Sequence, residues 1–130
     1  MKITQADKWF SIYIRLRDSD ENGYCKCFTC DTVKYWKNMD CGHYVKRQHQ
    51  GTRFNEKNSN VQCVNCNWNL QGNDAIYRER IIKLYGQETH DLLKSAERTS
   101  FKRTELEIKL LTKEYKEKAK KLAKEKGIEL

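Results

Sequence analysis

The residues able to do chemistry lie between Cys27 and Asn73. Cys27 and Cys30 form one C-x-x-C pair, and Cys63 and Cys66 form a second. Together they supply four thiolates, the number that closes a tetrahedral zinc site, with each pair gripping the ion from one tight turn. The rival use of such a pair is a redox dithiol, and the presence of two pairs argues against it. Cys25 and Cys41 are left over. Either can substitute in the ligand set or serve as a small buried side chain.

The spacer between the pairs contains His43. It can complete a Cys₃His site, or be a satisfied strand histidine. Because four cysteines already saturate zinc, it is also free to act as a general base toward water. Asn58 either ties the loop to the strand carrying His43 through its two-sided amide or simply forms a turn, with Asn60 as an ambiguous neighbour. Asn67 either offers an oxygen to a hard divalent cation, Mg²⁺ or Mn²⁺, that would bridge to a phosphate, or caps a helix. Asp40 is the nearest carboxylate before His43 and a candidate second ligand of that cation. Lys46, Arg47 and Arg53 flank the site and can clamp phosphates. His49 has no assigned role.

These groups need elements to hold them. Thr4, with Asp7 three residues later, reads as a capped start of a helix over 4–18, with Trp9, Ile12, Tyr13 and Leu16 on its apolar stripe. Arg15 and Arg17 lie off that stripe and read as solvated charges. Val33–Trp36 and Tyr44–Val45 read as a hairpin turning around Lys37–Asp40, with His43 opening its second strand. Residues 46–60 lack apolar periodicity and read as a functional loop. A helix is expected over 67–84, broken at Gly72–Asn73, with Asn73 capping a segment that carries Ile76, Tyr77, Ile81 and Leu84 and ends at Gly86. Residues 88–97 read as a short helix with Leu92, Leu93 and Ala96 inward. Thr104 and Glu107 form a capping box for a last helix ending at Gly127, with a thin stripe of Leu111, Tyr115, Ala119 and Leu122. That helix either folds back on the core, pairs with a second chain as a homodimer, or frays.

The chain has 130 residues, 34% charged, and a formal net charge of +8. Residues 25–73 and 101–130 each carry a net +4, and the other two segments balance. Basic charge on the candidate site and the tail suits a phosphate-rich partner; simple solubility is the plainer explanation. No apolar run opens the sequence, so no signal peptide and no membrane span are expected, and a reducing cytoplasm favours metal over disulfides.

The segments CFTC, DCGHYVKR, RFNEKN, QCVNCN, GN and YR together resemble the phage NinG (Rap) recombination endonuclease family, from the first helix through Gly86. More distantly, the order Cys pair, His, Asn, Cys pair, Asn is similar to zinc-stapled HNH, or ββα-metal, nucleases. The resemblance implies a metal-dependent endonuclease acting on branched or Holliday-type DNA in the host cytoplasm. It implies His43 as base, Asn58 as loop pin, Asn67 as ligand of a catalytic divalent ion, and structural zinc on the four paired cysteines. Many HNH enzymes have an acidic residue directly before the base, where this chain has Gly42. The expected fold is α+β: a first helix over 1–24, a zinc-stapled HNH-like core over 25–100, and a basic helix over 101–130. The rivals are a non-catalytic zinc-dependent DNA-binding module and an assembly protein acting through its last helix.

Overall fold

Helix α1 (Ile3–Arg17) packs against the second strand pair and the last helix, while Tyr44, Val45, Tyr77, Ile81, Leu93 and Ala96 form a separate core cluster. The structure, a computed structural model, describes residues 3–130. Ala6, Phe10 and Ile14 recur at four-residue spacing and are buried with Phe54 and Tyr115. Leu16 enters a second apolar cluster with Trp36, Met39, Val61 and the buried cysteines. The expected stripe is therefore corrected: of Trp9, Ile12, Tyr13 and Leu16, only Leu16 is fully buried. Trp9 and Tyr13 lie at the boundary, where lysines of the last helix cover their rings. Thr4 lies inside the helix rather than at its cap, and the Asp7 carboxylate is committed to Arg53.

Two small antiparallel sheets follow. Strand β1 (Tyr24–Lys26) pairs with β2 (Val33–Tyr35), and β3 (Asp40–His43) pairs with β4 (Ser59–Gln62). The expected hairpin between Val33–Trp36 and Tyr44–Val45 does not form. Hydrogen bonds from Cys27 N to Thr32 O and from Asp31 N to Cys27 O close a turn, so β2 returns to β1. His43 ends β3 opposite Ser59, and its strand partner lies across the long loop. That loop contains a single helical turn, α2 (Gln50–Arg53). Phe28 N donates to Val61 O and joins the two sheets.

Arg15 and Arg17 are not solvated. Arg17 donates to Asp18, to the carbonyls of Glu56 and Ser59, and to Asn60 Oδ1. It ties α1 to β4. Arg15 stacks on Trp36 and donates to its carbonyl.

A tight turn over Asn65–Asn69 leads to α3 (Asp74–Tyr85) and α4 (Gln87–Ser95). Tyr77 and Ile81 point inward, whereas Leu84 and Leu92 are exposed. The buried place expected for Leu92 belongs to His90, which shares a hydrogen bond with the Tyr44 hydroxyl. Asn73 precedes α3 in a left-handed conformation and makes no side-chain capping bond. Helix α5 (Glu105–Lys126) opens with the Thr104–Glu107 capping box and stops at left-handed Gly127. It folds back on α1, burying Tyr115 against Phe10 and placing Ala119 and Ala123 in the apolar cluster of Leu16 and the buried cysteines. Among the described residues no helix is long and apolar enough to cross a membrane.

Because Tyr115 packs edge-on against Phe10 and its hydroxyl donates to Glu56, Tyr115→Ala is expected to cost about 3–5 kcal/mol. Urea unfolding followed by circular dichroism checks this. A loss below about 1 kcal/mol would mean that α5 is not part of the core.

Candidate functional site

The four paired cysteines converge. Cys27 and Cys30 sit on the β1–β2 turn, while Cys63 and Cys66 follow β4 directly. Their sulfurs all lie within 4.8 Å of one another, and Cys30 and Cys63 are 3.6 Å apart. Sulfurs around a tetrahedral zinc with bonds of ~2.3 Å would be about 3.8 Å apart. The donor set and its spacing therefore fit a metal such as zinc. Burial opposes ionisation of Cys27, but hydrogen bonds from the Thr29 side chain and from backbone amides outweigh it and bring the thiol down to about 6. A metal site needs such a ready thiolate. Cys27 is alone in this: burial pushes Cys63 up to about 12 and Cys66 upward, as it pushes the spare Cys25 up to about 11 and Cys41 up to about 12. What sets the spare pair apart is that neither joins the cluster.

Beside the cluster is an open cleft of about 680 Å³ between α1, β3 and the turn after Cys66. Asp40, His43, Lys46, Arg47 and Asn67 all line it, as do Arg15, Lys37 and Trp68. The side-chain amide of Asn67 donates to Asp40 Oδ2 at 3.0 Å. The bond holds the two side chains together, with the Asn67 NH2 facing the carboxylate. A hard cation there would take the Asp40 oxygens and, once the amide turned over, the Asn67 oxygen, completed by water or phosphate.

His43 Nε2 lies 3.0 Å from the Arg53 carbonyl. A carbonyl only accepts, so Nε2 carries the proton of the neutral ring and Nδ1 keeps the free lone pair. Burial is the main cause that pushes His43 down to about 4, against the raising effect of that carbonyl bond. The ring is therefore neutral at pH 7.

Arg53 itself does not serve as a free phosphate clamp. Its guanidinium meets the Asp7 carboxylate through Nε at 2.9 Å and NH2 at 2.5 Å, and both side chains are largely buried. The backbone carbonyl of Arg53 is the part that serves the site. Lys46 is tied at the rim to Asp74, and Arg47 is exposed with only a long contact to Asp7.

Asn58 is fully buried. Its Oδ1 accepts from Val45 N at 2.8 Å, and its Nδ2 donates to Val45 O and Thr52 O. This closes the loop onto the chain just after His43. Asn60 is instead bonded to Arg17 and Tyr77.

Two supporting residues escaped the sequence reading. Tyr77, expected only as an apolar face of α3, donates its hydroxyl to Gly42 O and approaches Asn58 O, holding both segments at once. Asp7, expected as a helix cap, reaches across 46 residues to Arg53. The aromatic of the GN…YR segment was the one available signal for Tyr77. The Gly42 position also has a local cause: a Cβ there would fall 1.9 Å from Gln62 Oε1. The Gln62 amide occupies that space because it donates to Thr29 and to Gly72 O.

The sequence profile described as Bacteriophage Lambda NinG protein matches residues 2–125. The chain is 36% identical over 121 residues to protein ninG of Escherichia phage lambda, covering 92% of this chain and 56% of that protein. It is 34% identical over 121 residues to protein ninG of Salmonella phage P22, covering 92% of this chain and 57% of that one. Against protein ninG of Escherichia phage 933W it is 36% identical over 94 residues, or 72% and 44% of the two chains. The chain thus spans about half the length of these relatives. No solved structure matches it significantly.

The geometry of His43 generates a pH test. Its folded value lies below the ordinary 6.5, so the unfolded chain binds the proton more readily. The stability this group contributes is complete above about pH 6.5 and is lost as pH falls through about 4. NMR titration is expected to place the ring near 4, and His43→Gln to flatten the fall in stability over that window. A titration at 6.5 or above would mean the ring is not held as described. Asp7→Asn is expected to destabilise the fold by up to the ~3–5 kcal/mol typical of breaking a buried pair, because Arg53 is left with an uncompensated charge.

Proposed function

The chain belongs to the NinG family of phage proteins, and we propose that it is a metal-dependent DNA endonuclease of the zinc-stapled ββα-metal (HNH) kind. The observation that carries this proposal is a neutral histidine with a free Nδ1 in a basic cleft that also holds the hydrogen-bonded Asp40 and Asn67 side chains. The antiparallel β3–β4 pair, followed by the helical turn bearing Asn67, supports the same architecture. The substrate class is DNA phosphodiesters, and branched or Holliday-type recombination intermediates are the preferred form that the resemblance implies.

In the proposed reaction His43 Nδ1 takes a proton from water, and the water oxygen attacks phosphorus in line as the bond to the leaving oxygen breaks. That oxygen leaves protonated from solvent. The Arg53 carbonyl keeps hold of Nε2–H throughout, so the ring does not swing away. Asp40, and Asn67 with its amide turned so that its oxygen faces inward, would hold Mg²⁺ or Mn²⁺. A divalent ion bound there would stabilise charge on the phosphate and on the leaving oxygen. Arg47 and Lys46 attract the backbone. A phosphate beside the ring also favours its protonated form, moving His43 upward from about 4 toward the range in which a base works best. Zinc held by the four cysteines would be structural, since they would fill its four positions.

His43→Ala is expected to reduce nicking ~10²–10⁴-fold while leaving zinc content and DNA affinity near wild type. Single-turnover nicking and metal analysis on the same preparations check this. Zinc lost with activity would make His43 a ligand and return the protein to a non-catalytic binding module. Full activity with zinc retained would remove His43 from the reaction.

Metal analysis is expected to find one zinc per chain, and a strong chelator is expected to unfold the protein, because a metal on cysteines adds directly to folding free energy. A zinc-free chain with an unchanged circular dichroism spectrum would contradict the structural role.

A further inference from the structure

The chain has three tryptophans, and they sit very differently. Trp36 is buried, and Trp9 is half-buried beneath Lys8, Lys116 and Lys120. Trp68 is 70% exposed, although it lines the cleft. No aromatic or cation–π partner covers it among the described residues.

Its backbone is nevertheless tightly held. Asn67 N bonds Cys63 O, Gln71 N bonds the carbonyl of Trp68 itself, and Gly72 N bonds Cys66 O. The indole is thus carried on a rigid turn directly after a cluster cysteine and the cleft residue Asn67. An exposed indole on a fixed mount, with Lys37, Lys46 and Arg47 in the same cleft, combines an aromatic face with cations that track phosphates. Bases inside a duplex already have both faces stacked. An unpaired base has a free face, and stacking on tryptophan tolerates any of the four bases.

We propose that Trp68 is the stacking platform for an unpaired nucleobase of DNA whose phosphates lie in the cleft. It gives the cleft a preference for flaps, gaps and branch points over continuous duplex. This deepens the proposed function and rests on the cleft being the DNA site.

The test uses the full zinc-loaded chain without added Mg²⁺, so that binding is read apart from cleavage. The probes are a flapped duplex and a fully paired duplex of equal length, followed by anisotropy and by intrinsic tryptophan fluorescence. Wild type is expected to bind the flap more tightly, with quenching. Trp68→Ala is expected to lose about 5- to 150-fold in affinity for the flap, to lose the quenching, and to bind the paired duplex as before. Trp68→Phe is expected to keep most of the flap affinity. Unchanged flap binding by Trp68→Ala, or an equal loss on both probes, overturns the proposal. Wild type binding neither probe overturns it together with the DNA reading of the cleft. Binding and quenching by a protein that never cleaves when Mg²⁺ is added supports the platform and overturns the nuclease reading alone.

Discussion

Four sulfurs confined within 4.8 Å of one another are the constraint on which the rest of this structure depends. Neutral thiols can crowd in this way, but thiolates repel, and a bound cation turns that repulsion into attraction. The cluster joins the β1–β2 turn to the end of β4, two segments also tied by the Phe28 N–Val61 O and Gln62–Thr29 hydrogen bonds. Its consequences run into the cleft. Gln62, next to Cys63, pairs with Asp40 across the sheet, and Asn67 and Trp68 follow Cys66 without a spacer. Wherever the cluster goes, the Asp40–Asn67 bond and the exposed indole go with it.

The other side of the cleft is set by charge and hydrogen bonding. Asp7 on α1 fixes Arg53, and the carbonyl of Arg53 fixes the His43 ring. Tyr77 and Asn58 hold the neighbouring backbone from beneath. Tyr77 and Asn58 are buried, Asp7, Arg53 and His43 are half-buried, and all are partnered, so the loop around His43 is rigid where a long polar loop would otherwise move. α5 completes the arrangement from the far side by covering α1, which keeps Asp7 on a stable helix.

Local patterns were legible in the sequence. The C-x-x-C spacing named the four clustered cysteines, and Thr104 with Glu107 and Gly127 named the ends of α5, because each feature is a short-range relation. Pairings across long separations were not. β2 was expected to pair with the segment after His43, yet β1 captures it once the first cysteine turn closes. Arg17 and Arg53 look like surface cations in the sequence, and only the fold brings them to Asp18 and Asp7 and to buried carbonyls. The α1 stripe was misread because that helix is covered on two sides, which dissolves the one-sided periodicity of a surface helix. Gly42 carries its reason in Gln62, twenty residues away and visible only in register.

The central claim is that the cleft beside the cysteine cluster hydrolyses DNA with the help of a divalent ion. Its most direct test is a Mg²⁺ titration of the zinc-loaded wild-type chain on supercoiled plasmid and on a four-way junction. The account predicts no nicking without added Mg²⁺ and saturable nicking as Mg²⁺ rises, with Mn²⁺ able to replace it. A folded, zinc-loaded protein that binds DNA yet nicks neither substrate at any Mg²⁺ or Mn²⁺ concentration would contradict it.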